Sequence, residues 1–273
     1  MTLTVTLLGT GTSAGVPMIG CTCEVCRSTD PRDKRDRPGA MVRWRDPAGQ
    51  LRTVLIDTTP DLRHQMLRHD VMRIDGVVYT HNHADHVFGI DDLRRFNAVM
   101  NEPLDIYAEP GVIEWMRHSF AYIFNLAGNV NKSFVPTLIP HPVEPGEAFE
   151  LAGLPWLPMR LLHGKLPIVG YRVGDFAYCT DCSAIAAETW PLLADLDVLV
   201  IDALRYRHHP THMTVEQALA VVEQLKPKRA YLTHIAHEIR HADLEANLPE
   251  HVMLGYDGLT IDVHREPHGS PFS

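Results

Sequence analysis

Thr80-His81-Asn82-His83-Ala84-Asp85-His86 places three imidazoles and a carboxylate in a row of six positions. The run before it, Gly76-Val77-Val78-Tyr79, is apolar and predicts a buried strand. The run after it, Val87-Phe88-Gly89-Ile90 with Leu93, carries helical spacing. The polar stretch therefore falls in a strand-to-helix turn, where a scaffold can aim several side chains at one point without burying unpaired backbone. His81 and His83 are two apart, so on extended backbone they point the same way. Asp85 and His86 follow as the chain turns and face the same space from another side. Imidazole nitrogen and carboxylate oxygen suit zinc, manganese or iron. One ion can take His81 and His83, and a neighbouring one Asp85 and His86.

The chain around this motif is 273 residues long, 45% apolar, with a net charge of −9. That length and apolar content suit one domain, 1–273, with a sizeable core. No apolar run is long enough for a membrane span, and the N-terminus lacks a basic region followed by an apolar one. The negative charge argues against a broad nucleic-acid surface. Five cysteines, three of them at Cys21, Cys23 and Cys26, do not form the pattern of a secreted disulfide framework, so a cytoplasmic location is expected. Three thiols at that spacing predict a metal-binding loop at about 20–27, and His237, three residues after His234, is placed to serve it.

Working outward, Leu3 to Leu8 alternates into a half-buried strand, and the glycine turn after it lacks the dinucleotide-binding spacing. Residues 27–38 are charged and proline-bounded, which predicts a solvated loop. Met41–Trp44 and Thr53–Ile56 predict a hairpin, ended by Asp57, which is not expected to be a ligand. A helix follows from Asp61 to His69, with His64 and His69 at its surface. Helices are expected over Leu93–Met100 and from Pro110 to Phe124. Residues 125–135 are expected as an exposed loop, with a lid or a homodimer contact as its functional alternatives. Leu157–Leu162 leads to His163. Ile168–Val173 and Phe176–Tyr178 predict a hairpin over Gly174-Asp175, leading to Asp181 between the buried cysteines 179 and 182. Val198–Ile201 and Arg229–Thr233 are strands, Thr214 opens a helix running to Leu225, and Met253 to Val263 predicts a terminal strand pair.

H-x-H-x-D-H after a strand resembles the signature of the metallo-β-lactamase superfamily of di-metal hydrolases. The resemblance implies an α/β fold, a four-layer αββα sandwich with its metals at one edge between two sheets. It implies His81, His83 and His163 on one divalent ion, Asp85, His86 and His234 on the other, and Asp181 between them. Two such ions roughly 3.5–4 Å apart acidify a bridging water for attack. That suits a phosphodiester, and His212, in the loop Arg205–His212, is the candidate to protonate the leaving oxygen or contact the phosphate. Asp85 and His212 are thus the expected catalytic residues, while His208 and His209 look like surface residues.

Within the superfamily, the chain resembles the PhnP-type phosphodiesterases of phosphonate breakdown. The match rests on Gly9-Thr-Gly11, the cysteine loop, His81 to His86, His163-x-Lys165, Asp181, His212 and Thr233-His234-Ile-x-His237. It implies a structural zinc on Cys21, Cys23, Cys26 and His237 beside a pair of manganese or zinc ions. The expected substrate is a small cyclic phosphodiester, of the phosphoribosyl 1,2-cyclic phosphate or cyclic nucleotide type. A longer segment around 97–135 leaves that substrate open. The competing expectations are an RNA-processing nuclease of the same superfamily, a non-catalytic binding protein of cofactor biosynthesis, and a thioester or lactone hydrolase.

Overall fold

A computed structural model describes residues 2–125, 128 and 133–264. One sheet holds β1 (Thr2–Gly9), β2 (Gly39–Arg45), β3 (Leu51–Ile56), β4 (Gly76–Val78), β5 (Leu104–Ala108), β6 (Leu138–Pro142) and β15 (Thr260–His264), in the order β15-β1-β2-β3-β4-β5-β6. The other holds β7 (Phe149–Leu151), β8 (Leu154–His163), β9 (Leu166–Val173), β10 (Phe176–Cys179), β11 (Ala184–Ile185), β12 (Val198–Asp202), β13 (Arg229–Thr233) and β14 (Val252–Leu254). Its order is β11-β8-β9-β10-β12-β13-β14, with β7 paired on β8.

Alternating side chains build the layers. On β12, Val198 and Val200 enter the core between the sheets, whereas Leu199 and Ile201 enter a core on the opposite face. That second core takes Val215, Ala218, Val221 and Val222 from the helix Val215–Leu225. A third core joins Leu55, Val77 and Ile106 of the first sheet to Leu62, Met66, Ile113 and Met116 of its covering helices. Three cores separate four layers, so the αββα sandwich follows directly from the apolar pattern.

Each sheet changes from antiparallel to parallel pairing partway across. β15, β1, β2 and β3 pair antiparallel, then β3 to β6 parallel; β8, β9 and β10 pair antiparallel, then β10, β12, β13 and β14 parallel. The carboxyl ends of the parallel strands thus gather along one edge, the usual place for a ligand in α/β sheets. The crossover from β12 to β13 is the helix Val215–Leu225. Thr214 caps it, its hydroxyl accepting from Gln217 N at 3.2 Å while Gln217 Oε1 accepts from Thr214 N at 2.9 Å.

Several expected boundaries shift. β8 begins at Leu154 rather than Leu157, running through Pro155 and Pro158. The helical run after the histidine motif breaks into a short helix Ala84–Val87, a 3-10 turn Ile90–Leu93 and a helix Arg94–Met100, because Gly89 packs against the Thr58 and Thr59 carbonyls. The terminal strands are not a pair: β14 lies beside β13 in one sheet and β15 beside β1 in the other. The segment 27–38 is not simply a solvated loop either. Asp33 and Arg35 have fully buried side chains and form an ion pair at 3.1 Å. Arg35 also donates to the Ala236 carbonyl at 3.1 Å and the Ile239 carbonyl at 2.9 Å. The exposed loop expected at 125–135 and the polar tail after His264 lie largely outside the described residues.

Candidate metal centre and its acid–base edge

Three strands end in residues held in the left-handed region. Asp57 follows β3 at φ 67°, Asp181 follows β10 at φ 56°, and His234 follows β13 at φ 61°. Side chains other than glycine rarely adopt this conformation, although Asn, Asp and His tolerate it best. At each strand end the backbone turns sharply, and the side chain is delivered to the shared edge.

The seven expected ligand residues converge there. Asp85, His86, Asp181 and His234 offer ligand atoms within 4.8 Å of one another, as do His81, His83 and Asp181. His163 joins through Asp181 and His212 under the same 4.8 Å limit. Its ring centroid is 5.0 Å from His83 and 5.7 Å from His81. Asp181 stands between the two groups: Oδ1 is 3.2 Å from His86 Nε2, and Oδ2 is 3.2 Å from His234 Nε2 and 3.8 Å from His81 Nε2. Asp85 Oδ2 lies 3.4 Å from His86 Nε2 and 3.9 Å from His234 Nε2.

The outer nitrogens are fixed by the protein. His86 Nδ1 donates to Asp57 Oδ2 at 2.7 Å, and His163 Nδ1 donates to the Asp181 carbonyl at 2.7 Å. His81 Nδ1 is 2.9 Å from Thr80 Oγ1, which itself donates to Asp57 at 2.9 Å. Asp57 also accepts from Thr80 N at 2.8 Å, so it holds two of the rings without being one of the converging ligands. From the sequence this carboxylate reads equally as a strand end and, by the resemblance, as a residue packed against the metal motif; the structure has it behind the histidines.

The inner nitrogens have no such partners. His81 Nε2, His86 Nε2 and both ring nitrogens of His234 are buried without a hydrogen bond, the nearby carboxylate oxygens lying off the donor direction. Buried polar atoms left unpaired at one point are costly, and a cluster of imidazole nitrogens around two carboxylates is the donor set that divalent ions take. The electrostatics agree. Burial alone would raise Asp181, but His234 and His86 hold it well below the usual carboxylate range. Burial would likewise lower His86 and His234, but the carboxylates outweigh it, Asp181 foremost, and His234 is pushed up to about 10. The acids of this edge therefore draw positive charge onto it, and the residues fit divalent cations.

His212 closes the edge. Its Nδ1 donates to Asp202 Oδ2 at 2.7 Å, and its ring stacks on His234 at 4.5 Å and meets His163 edge-on at 4.7 Å. Asp202, the last residue of β12, is fully buried and was not picked out from the sequence. His209 is half-buried rather than a free surface residue, 5.1 Å from His212. His208 is exposed.

The cysteine loop forms a separate site. Cys21, Cys23, Cys26 and His237 offer ligand atoms within 4.8 Å of one another. His237 Nδ1 is 3.3 Å from Cys21 Sγ and 3.4 Å from Cys23 Sγ. A tetrahedron with ordinary zinc–sulfur and zinc–nitrogen bonds has sulfur–nitrogen edges of about 3.6 Å, so this donor set fits zinc. Met18 N donates to Cys26 Sγ at 3.4 Å and Cys26 N to Cys23 Sγ at 3.4 Å, as suits thiolate acceptors. The Cys26 hydrogen bond and the His237 ring lower the Cys23 thiol to about 6, while burial pushes Cys26 up to about 11. Cys179 and Cys182 are buried and stand apart from this site.

Residues 52–235 match the family model described as beta-lactamase superfamily domain. A solved structure described as a new diphosphatase from the PhnP family is 42% identical, with a TM-score of 0.87, covering 96% of this chain and 97% of that one. Zinc-bound PqqB from Methylobacterium extorquens has the same fold at 21% identity and a TM-score of 0.74, covering 95% of this chain and 100% of that one. A curated relative from Porphyromonas gingivalis, named octanoyltransferase, is 41% identical over 97% of this chain. The chain spans only 54% of that relative's length.

Proposed function

Because this chain belongs to the metallo-β-lactamase superfamily, close to its PhnP members, we propose that it is a di-metal hydrolase of small phosphodiesters. The observation that carries the reading is the placement of a carboxylate-backed histidine, His212 on Asp202, against the ligand ring of His234. The seven residues that the resemblance implies as ligands do not include it, so it is available for the leaving group. His81, His83 and His163 would hold one ion, Asp85, His86 and His234 the other, and Asp181 both. Bound there, the ions would supply an acidified water and positive charge for the phosphoryl oxygens.

The protein's own groups do the rest. Asp202 fixes the Nδ1–H tautomer of His212, leaving Nε2 to carry a proton to the departing oxygen. Asp57 and Thr80 keep His86 and His81 turned inward. Asp85, beside both His86 and His234, would serve as a ligand and is the second residue assigned a catalytic role. The zinc loop is a structural part, held by Cys21, Cys23, Cys26 and His237. The favoured substrate is a cyclic phosphodiester, acted on in the cytoplasm, and a homodimer belongs to the same proposal.

Cleavage of a diphosphate is the second reading, favoured by the 42% identical diphosphatase. The same edge would handle it, since a diphosphate also joins phosphorus to a leaving oxygen. The test is a panel of cyclic and linear phosphodiesters, diphosphates and an octanoyl thioester, each with manganese or zinc. Turnover of a cyclic diester above the others is the expected result. Turnover of diphosphates alone moves the assignment to the second reading, and turnover of the thioester alone overturns both.

A further inference from the structure

His234, His212 and His209 form a row that runs from the buried edge to the surface. His234 is 1% exposed, His212 is 8% exposed, and His209 is half-buried. Successive ring centroids are 4.5 Å and 5.1 Å apart. The two outer rings are wired oppositely. His212 Nδ1 faces a carboxylate at 2.7 Å and so carries the proton, which leaves Nε2 as the exchanging nitrogen. His209 Nδ1 faces the Thr211 backbone N–H at 3.4 Å and the Thr211 hydroxyl at 3.1 Å. A backbone N–H can only donate, so His209 Nδ1 accepts, and the proton of the neutral ring sits on Nε2. Among the described residues, no hydrogen bond engages that Nε2–H. Burial, then the His212 ring and Arg205, push the imidazolium form of His209 down, so the ring stays a neutral donor.

The loop carrying His209 is held on both sides. Arg205 Nε donates to the Arg207 carbonyl at 3.2 Å and its Nη2 to the His208 carbonyl at 3.1 Å. On the other side lies Gly164, whose φ is +63°. A Cβ there would come within 3.0 Å of the Thr211 methyl and 3.3 Å of the Pro210 carbonyl. The loop thus packs directly on the turn after the ligand His163, and Thr211 is the residue that sets the His209 ring.

We propose that His209 is a second substrate-binding imidazole, which donates its Nε2–H to a non-bridging phosphoryl oxygen while His212 handles the proton of the leaving group. The proposal rests on the phosphoryl-transfer assignment above. It adds a fixed donor to the substrate side of the edge, where charge on the phosphoryl oxygens has to be met by pre-set groups.

Two variants of the metal-loaded protein test it, His209→Ala and His209→Gln. The Gln side-chain amide replaces the Nε2–H donor. Nitrogen-detected imidazole spectra of the wild type should show Nδ1 unprotonated in His209 and protonated in His212. Affinity for inorganic phosphate, by calorimetry, should fall about 3–10-fold in His209→Ala, the usual worth of one neutral hydrogen bond, and return in His209→Gln. On phosphodiesters, kcat/KM should fall by the same factor for alcohol and p-nitrophenol leaving groups, again with recovery in Gln. A protonated Nδ1 in His209, unchanged phosphate affinity in His209→Ala, a Gln variant no better than Ala, or loss of metal in His209→Ala would each overturn the assignment. If phosphate affinity follows the expected pattern and no phosphoryl substrate turns over, His209 keeps its role as a phosphate contact and the proposed reaction falls instead.

Discussion

His212 Nδ1 donates to the Asp202 carboxylate at 2.7 Å, and Asp202 is the final residue of a strand whose every member is buried. The loop carrying His212 is thereby tied to a fully buried strand of the second sheet. Burial pushes the Asp202 carboxyl up and the His212 ring pulls it down, so the acid is most easily ionised when its partner is in place.

Replacing His212 by Ala should slow cleavage of diesters with poor alcohol leaving groups by about 10²–10⁴-fold, the usual contribution of general acid catalysis. A p-nitrophenyl ester, whose leaving group needs no proton, should lose much less. Asp202→Asn should follow the same leaving-group pattern, because the amide no longer fixes the Nδ1–H tautomer. Steady-state rates on the two substrate classes, with metal content measured alongside, decide this. Equal loss on both classes would remove the acid role from His212.

Protein purified without chelators should carry about three metal ions per chain, with the zinc of the thiolate site the last to leave during dialysis against a chelator. Asp181→Ala should lower that count at the histidine edge while the fold, followed by circular dichroism, is kept. Elemental analysis giving one metal or none after growth with manganese and zinc would count against both sites.

In metal-free protein the three thiols should differ in reactivity. Cys23, lowered to about 6 chiefly by the Cys26 N–H and His237, is a thiolate at neutral pH and loses reactivity as pH falls through 6. Cys26, raised to about 11 by burial, should be the last to react. Alkylation with iodoacetamide at graded pH, read by peptide mass spectrometry, should show this order, and zinc should protect all three. Cys23→Ser should melt earlier than the wild type.

Arg35→Ala should destabilise the fold by about 3–5 kcal/mol, the range found when one partner of a buried pair is removed. It leaves Asp33 buried without its guanidinium and frees the Ala236 and Ile239 carbonyls. Denaturant melts of Arg35→Ala and the Asp33→Asn/Arg35→Met double variant should show the double losing less than the single. If Arg35→Ala unfolds at the wild-type midpoint, the pair has no bracing role.

What the sequence revealed and what it hid follow from separation along the chain. His81, His83, Asp85 and His86 are neighbours, so spacing alone exposed them, and the resemblance they carry led on to His163, Asp181 and His234. The layers were legible because alternation on strands such as Val198–Asp202 is a local signal. Asp202 stayed hidden, since a carboxylate that orients a distant ring looks like any strand end, and only the resemblance, not the residues around it, set Asp57 against the metal motif. Asp33 and Arg35 read as solvated charges because their partners beyond each other lie some two hundred residues away: Arg35 donates to the Ala236 and Ile239 carbonyls, and His241 N donates to Asp33. The supposed terminal strand pair failed for a similar reason: adjacency in sequence says nothing about a chain that crosses from one sheet to the other at Gly255–Gly258.

The separation between the cysteines and their fourth partner also bears on biosynthesis. Cys21 and His237 meet across 216 residues. At ordinary elongation rates of 5–20 residues per second, about 10–40 s pass between translation of the first thiols and arrival of the imidazole. During that interval the nascent chain exposes three closely spaced thiols with no closing ligand. They can hold a borrowed metal ion, or be oxidised, before the carboxyl-terminal strands exist. The thiolate site therefore cannot close until the chain has been made past His237.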